Sequence, residues 1–337
     1  MIRVAINGFG RIGRAFVRAS VHDPDIEVVA VNDLGDAHNL AYLMQYDSVY
    51  GKFAGQVSVA EGSLLLGAKR VALLQVKDPA DLPWGKMSID VVVESTGVFD
   101  SFEKASAHVS AGAKRVVISA PVKDIMDNAA TVLVGVNEEK LQTCNITSNA
   151  SCTTNSASPL IAILDETLGI EKALLNTVHA YTATQSIVDM AVRGADMRRG
   201  RAATQNIVPS STGAAVAVTK AYEQLAGKFD GISLRVPVVA GSVADITFIA
   251  KRETTAEEVN KILEDAAATE HWKGIFSTTR EQLVSSDIIG DPHASVADLS
   301  MTRVIGNLVK VLAWYDNEMG YAHTLLRHVK EAGKRIY

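Results

Sequence analysis

Two cysteines in 337 residues, Cys144 and Cys152, leave no room for a disulfide framework, and they lie outside any spacing that would hold zinc, so no metal site is indicated. No apolar run approaches the ~18 residues that a membrane span needs. The chain opens directly into Ile2-Arg3-Val4-Ala5-Ile6, with neither a basic lead nor a long apolar segment, so no signal peptide is visible. Positive charge is also short: 33 Lys and Arg against 38 Asp and Glu give a net charge of −5, which argues against nucleic acid as the primary partner. The local exception is a cluster of four arginines, Arg193, Arg198, Arg199 and Arg201, for which a solvated or subunit-contact face is the plain reading of two or three members. Internal repeats and low-complexity tracts are absent. What is left is the composition of an ordinary globular enzyme, 47% hydrophobic and 21% charged. Its length allows two cores, because a single core seldom grows past ~250–300 residues. Free thiols without a leader point to a reducing, cytoplasmic compartment.

The first 150 residues alternate strand and helix. Apolar runs at 2–7, 27–32, 91–94 and 116–119 are separated by helical spacing at 11–20 and 102–111. Such alternation predicts parallel strands with helical crossovers, an α/β Rossmann dinucleotide-binding domain. After Cys152 the pattern changes. A helix is predicted over 153–168, then longer strands over 173–180, 232–236, 243–250 and 308–315, with helices at 214–225 and 255–268. Fewer alternations and longer strands predict an α+β catalytic domain with a mainly antiparallel sheet. Residues 181–209 carry little apolar periodicity, and a loop of that length in a compact domain is usually functional. Residues 321–337 read as a final helix with cations toward its C-terminal end.

Gly8-Phe9-Gly10-Arg11-Ile12-Gly13 follows a predicted strand and opens a predicted helix, and Asp33 stands twenty positions after Gly13 at the end of the second strand. That context is what a dinucleotide fingerprint requires. Gly8 permits the tight turn, Gly10 the close approach of pyrophosphate, and Gly13 the packing of helix on strand. A carboxylate at Asp33 accepts from a ribose 2′-hydroxyl and repels a 2′-phosphate, which favours NAD over NADP. The plainer alternative makes Asp33 the cap of a helix over 37–45.

Ser151-Cys152-Thr153-Thr154-Asn155 places a cysteine where a helix begins, and His179 follows in His179-Ala180-Tyr181-Thr182. A helix N-terminus and a nearby imidazole both stabilise a thiolate. Cys144 reads as a buried small hydrophobe. A thiol beside a hydride acceptor can oxidise an aldehyde to a thioester: Cys152 attacks the carbonyl carbon, and His179 takes the hydroxyl proton as hydride departs.

These motifs occur in one order together with Asn32-Asp33-Leu34, Ser211-Thr212-Gly213-Ala214-Ala215, Arg235-Val236-Pro237 and Trp314-Tyr315-Asp316-Asn317-Glu318. From Ile2 to the C-terminal helix, the chain resembles the phosphorylating glyceraldehyde-3-phosphate dehydrogenases. The resemblance implies an NAD-binding domain over 1–151, with 318–337 packing back on it, and a catalytic domain over 152–317. It implies NAD-dependent conversion of D-glyceraldehyde 3-phosphate and inorganic phosphate to 1,3-bisphosphoglycerate, in glycolysis and gluconeogenesis, by a cytoplasmic homotetramer. By resemblance, Thr182 and Arg235 hold the substrate's phosphate. Ser151, Thr153, Thr212 and Gly213 hold the attacking phosphate, with Arg199 lending charge. Asn317 holds the nicotinamide carboxamide, Tyr321 packs near that ring, and Arg11, Ile12, Lys77 and Ser119 line the cofactor. Departures from the usual pattern fall at Ser156, Ala191, a slightly longer loop over 190–196, Val238-Val239-Ala240-Gly241 and Met319. The nearest rival is erythrose-4-phosphate dehydrogenase of the same fold, whose members tend to carry Glu at the Asp33 position. Hydrolysis of the thioester without phosphate, and RNA binding in the dinucleotide groove, are the more distant readings.

Overall fold

The computed structural model describes residues 1–192 and 196–336. The readings of Arg193 as a surface arginine and of Tyr337 as the last helical residue lie outside the described residues. The chain divides into two compact units, Met1–Ala150 with Ala322–Tyr337, and Ser151–Tyr321.

The first unit is built on a nine-stranded sheet. Its strands run in the order 129–131, 146–148, 115–118, 91–94, 2–7, 26–32, 69–74, 63–66 and 57–60. Every pair from the first of these to 69–74 is parallel. The last two strands continue antiparallel, through a hairpin that turns at Glu61 and Gly62, both with positive φ. This hairpin escaped the sequence reading, although alternating Val57 and Val59 before Glu61-Gly62 are an ordinary hairpin signal. The helices Arg11–Ser20 and Phe102–Ser110 supply crossovers, the latter capped by Ser101 Oγ accepting from Lys104 N–H. Parallel strands buried on both faces have to be apolar throughout, and Val91, Val92, Val93, Val116, Val117 and Ile118 are all buried.

A polar chain runs through this core. Trp84 Nε1 donates to His108 Nδ1 at 3.0 Å, and His108 Nε2 lies 3.0 Å from Glu94 Oε2. The same oxygen accepts from Asn7 Nδ2 at 2.6 Å, and Glu94 Oε1 accepts from the backbone N–H of Thr96 at 2.8 Å. A carboxylate at 2% exposure survives because its oxygens are this fully engaged.

The second unit carries an eight-stranded sheet whose main path runs 208–211, 229–236, 170–180, 242–250, 308–315, 295–298 and 276–279, with 303–305 paired on 308–315. Two of its pairings are parallel and the rest antiparallel. Two helices differ from expectation. The helix predicted over 214–225 is α-helical only at Ala214–Ala221, because Tyr222 leaves the helical region, its hydroxyl donating to Asp165 Oδ2 at 3.1 Å. The final helix spans Met319–Lys334, starting before Tyr321, because Asp316 Oδ1 accepts from the N–H groups of both Glu318 and Met319. Among the described residues no helix is long and apolar enough to cross a membrane.

Candidate active site

In the first unit the glycine loop has the form the fingerprint demands. Gly8 sits at φ +95°, where a side chain would also strike the backbone of Ser95 and Thr96. A Cβ at Gly13 would come within 2.3 Å of the Gly8 carbonyl oxygen, whereas Gly10, at the helix N-cap, faces open space. Asp33 Oδ2 accepts from Phe9 N–H at 2.7 Å and Oδ1 from Gly35 N–H at 2.8 Å. The capping alternative for Asp33 fails: the helix Ala37–Gln45 is capped by Asp36, which accepts from Asn39 N–H. Each Asp33 oxygen keeps a lone pair for a ribose hydroxyl. Arg11 reaches Asp47 at 2.7 Å and lies over the Tyr50 ring, with Ile12 beside it half-buried. Ser119 N–H donates to the Glu94 carbonyl at the end of its strand, and Lys77 is exposed just after Val76, whose N–H binds Asn32.

In the second unit Cys152 opens the sixteen-residue helix Cys152–Thr167. Ser151 caps it, its Oγ accepting from Thr154 N–H at 3.1 Å, and the preceding Ala150 takes a left-handed φ of +52°. Cys152 Sγ lies 3.3 Å from His179 Nε2. Strand 170–180 delivers this histidine from the middle of the sheet, paired on both sides. His179 Nδ1 lies 2.6 Å from the Ala180 carbonyl oxygen and 2.8 Å from Arg235 Nη1. These two contacts ask for opposite tautomers. A carbonyl can only accept, and Arg235 Nη1 has that same oxygen at 3.2 Å as an alternative acceptor, so the proton belongs on Nδ1. Nε2 then faces the thiol as an acceptor.

Burial pushes the Cys152 thiol up from its ordinary value, opposed by the Arg235 guanidinium and by hydrogen bonds from Thr153. Burial, with Arg235, holds His179 down at about 3. Burial thus works against the charged form of each group, while Arg235 and the N–H groups at the helix start work toward the thiolate. The magnitudes differ: a helix terminus contributes roughly 0.3–1 kcal/mol, less than one pKa unit, while full burial can move a group by 3–5 units.

Anion donors gather around this pair. Arg235 projects from strand 229–236 and is pulled below its ordinary value by burial and further by Arg199, so two guanidinium groups feel one another. Thr182 Oγ1 lies 3.0 Å from Thr184 Oγ1. Thr154 Oγ1 donates to the Ala214 carbonyl at 3.4 Å, bringing together the N-termini of the helices Cys152–Thr167 and Ala214–Ala221. Thr212 and exposed Gly213 lead into the second of these, with Thr212 Oγ1 accepting from Ala214 N–H. Adjoining helix N-termini point free N–H groups at a bound anion. Thr153 is different: it is buried, and its hydroxyl lies 2.9 Å from Tyr315 Oη.

Comparison with known proteins gives a consistent answer. Residues 151–317 match the model of the glyceraldehyde 3-phosphate dehydrogenase C-terminal domain, and residues 2–102 match that of the NAD binding domain of the same family. Glyceraldehyde-3-phosphate dehydrogenase of Streptomyces coelicolor is 47% identical over 96% of each chain. Those of Mycobacterium avium and Clostridium pasteurianum are 47% and 44% identical over 99% of each. The chain belongs to the glyceraldehyde-3-phosphate dehydrogenase family. It is accordingly an NAD-dependent oxidoreductase, and the glycine loop described above fits that cofactor: nothing crowds Gly10, and the Asp33 carboxylate is held at the loop with acceptor capacity to spare.

Three features of this dehydrogenase were not read from sequence. Ser242 Oγ donates to Asn317 Oδ1 at 3.0 Å and Gly241 N–H to the same oxygen at 3.1 Å, so the Asn317 amide nitrogen is the end free to meet a ligand acceptor. Thr184, beside Thr182, offers a second hydroxyl; the Thr-x-Thr spacing was a signal that passed unused. Tyr315 is 1% exposed and stands edge-on to the His179 ring at 6.0 Å between centroids, which no local pattern announces.

Proposed function

We propose that this protein oxidises D-glyceraldehyde 3-phosphate to 1,3-bisphosphoglycerate, with NAD as oxidant and inorganic phosphate as acyl acceptor, as a step of glycolysis and gluconeogenesis. The observation that carries the reading is the 3.3 Å approach of Cys152 Sγ to an imidazole nitrogen with a free lone pair. His179 Nε2 takes the thiol proton as Sγ adds to the aldehyde carbon, and then the hydroxyl proton of the thiohemiacetal. The N–H groups at the start of the helix Cys152–Thr167 are placed to hold the oxyanion. NAD, when bound, supplies the acceptor for the hydride that leaves this carbon. Phosphate then attacks the resulting thioester, and the oxidation energy is kept in the acyl phosphate.

The roles of the single residues belong to the same proposal. Gly8, Gly10, Gly13 and Asp33 hold the dinucleotide, lined by Arg11, Ile12, Lys77 and Ser119, and Asn317 holds the carboxamide. Thr182 and Arg235 bind the substrate's phosphate. The attacking phosphate is held by Ser151, Thr212 and Gly213 with Arg199, and Thr153 adds its backbone more readily than its engaged hydroxyl. We assign NAD binding to 1–151 with 318–337, and catalysis to 152–317. A homotetramer is supported by apolar side chains on the open face of the second sheet, where Leu174, Ile232 and Leu308 are exposed. A free nucleophilic thiol suits a reducing cytoplasm.

NADH formation from glyceraldehyde 3-phosphate, with and without phosphate, tests the whole scheme. Turnover should require phosphate or arsenate; equal turnover without either would mean that the thioester is hydrolysed. Faster turnover of erythrose 4-phosphate would move the protein to the sister activity.

A further inference from the structure

Ser242 stands where a ladder of the second sheet stops. The pairing of strand 170–180 with strand 242–250 runs as far as Val178 opposite Val243. Two residues further along, a side chain takes the next N–H: Ser242 Oγ accepts from Ala180 at 3.1 Å. The same hydroxyl donates to Asn317 Oδ1 at 3.0 Å, and Gly241 N–H donates to that amide oxygen at 3.1 Å. Ser242, Ala180 and Asn317 are all buried, at 1%, 0% and 5% exposure.

The directions in this chain leave no choice. It begins and ends in backbone N–H groups, those of Ala180 and Gly241, and these can only donate. Ser242 Oγ therefore accepts on one side, its single hydrogen goes to the other, and the Asn317 atom that receives both donors has to be oxygen. The end torsion of an amide is broad and nearly two-fold, so an unsupported Asn317 would turn either end outward with little penalty. Here a flip would set its NH2 against the Gly241 N–H and leave the Ser242 hydrogen without an acceptor in a buried place. The backbone beneath the amide is fixed as well. Asp316 Oδ2 accepts from Gly290 N–H at 2.7 Å, and Oδ1 from Glu318 and Met319 N–H at 2.9 Å each. Gly241 aims its N–H from a φ of +85°, a region that favours glycine, and a Cβ there would come within 2.2 Å of the Ser285 carbonyl oxygen.

We propose that Ser242 is a positioning residue that fixes what Asn317 can recognise: with the amide oxygen held inward, the end that faces a ligand can donate and cannot accept. The group it suits is an acceptor, so Asn317 reads the carbonyl oxygen of the nicotinamide carboxamide and not its NH2. Ser242 also ties this amide to the histidine, because the carbonyl of the same Ala180 accepts from His179 Nδ1 at 2.6 Å. One buried hydroxyl thereby braces both the residue that meets the cofactor ring and the segment that orients the imidazole. The inference deepens the proposed function and rests on the reading of Asn317 as the carboxamide ligand.

The test is calorimetric titration of the full-length protein with NAD, with its acetylpyridine analogue, and with ADP-ribose. The analogue keeps the carbonyl oxygen and has a methyl group in place of NH2; ADP-ribose has no nicotinamide at all. Ser242→Ala should bind NAD and the analogue about fivefold more weakly, the factor that corresponds to one neutral hydrogen bond, with ADP-ribose affinity unchanged. General damage to the fold would weaken all three together. Asn317→Ala should show the same selective loss, and Ser242→Ala/Asn317→Ala should lose no more than Asn317→Ala, since the hydroxyl acts through the amide. Should Ser242→Ala fail to fold by circular dichroism, Ser242→Cys, close in shape but a weak donor, should show the selective loss to a smaller degree. Equal losses for all three ligands, unchanged NAD affinity in a folded Ser242 variant, a loss seen with NAD but not with the analogue, or additive losses in the double variant would overturn the proposal. Failure of the carboxamide reading looks different: Asn317→Ala would then keep the original ratio of NAD to ADP-ribose affinity.

Discussion

At the scale of single residues, the proposed chemistry depends on a sulfur and a nitrogen 3.3 Å apart, the charged form of each disfavoured by burial. Separately, neither ion is cheap in such a place. Together, proton transfer creates two opposite charges at contact distance, whose attraction offsets part of the burial cost. Cys152→Ala should therefore abolish turnover while NAD still binds, measured by calorimetric titration alongside the NADH assay. His179→Asn should still acylate, with turnover slowed by roughly 10²–10⁴-fold, the usual consequence of losing a general base; pre-steady-state kinetics would show a step slowed rather than missing. Asp33 belongs to this scale too. Its carboxylate is already placed by Phe9 and Gly35, so Asp33→Ala should weaken the preference for NAD over NADP by about tenfold, a charge-assisted hydrogen bond being worth ~1.5–3 kcal/mol. An unchanged ratio of kcat/KM values would remove Asp33 from the ribose site.

Among the elements, the final helix Met319–Lys334 shows how a buried group ties a segment down. His328 is fully buried on it, with Nε2 2.8 Å from Thr147 Oγ1 and Nδ1 3.1 Å from Asn149 Oδ1. Asn149 Nδ2 in turn donates to Thr324, one turn earlier on the same helix. Burial, with Arg115 adding to it, holds His328 at about 3. In the unfolded chain a histidine takes its proton near 6.5, so between about 6.5 and 3 the unfolded state binds more protons than the native one. Stability should be flat above this window and fall as pH drops through it. His328→Gln keeps a donor and an acceptor but does not titrate, and denaturant unfolding at pH 7 and pH 5 should show a smaller loss in the variant. His179 contributes to the same slope, so the loss shrinks without vanishing. Equal losses in both proteins would acquit His328.

Element existence was legible wherever a segment was long and periodic. The strand Leu308–Tyr315 and the helix Arg11–Ser20 lie where their apolar spacing put them. Ends were less legible, because single hydrogen bonds decide them: Asp316 sets the start of the last helix, and the bond from Tyr222 to remote Asp165 accompanies the break after Ala221. Within the site, Cys152, His179 and the glycine loop were visible because their chemistry demands particular residue types in a particular order. Tyr315 and Ser242 were not, since a buried tyrosine and a strand serine look like packing until their partners are known.

For the whole molecule, the outstanding feature is a sheet with one covered face and one that leaves Leu174 and Ile232 more than half exposed. Covering such a face with other copies of the chain is the expected remedy. Light scattering should give a mass about four times the 36.0 kDa of one chain, and Leu174→Lys with Ile232→Lys should reduce it. A monomer at micromolar concentration would sink the tetramer.

Composition and pattern alone determined the broad class, the two kinds of sheet, the dinucleotide fingerprint and the choice of Cys152 and His179 as candidates, because these follow from residue type and spacing along the chain. Only the tertiary structure decided the hydrogen on Nδ1 of His179, the balance of charge at the thiol, and the donors that turn the Asn317 amide. Those depend on how deeply a group is buried and on which donor meets which acceptor across strands far apart in sequence. Such meetings are properties of packing, and packing leaves no period in a sequence.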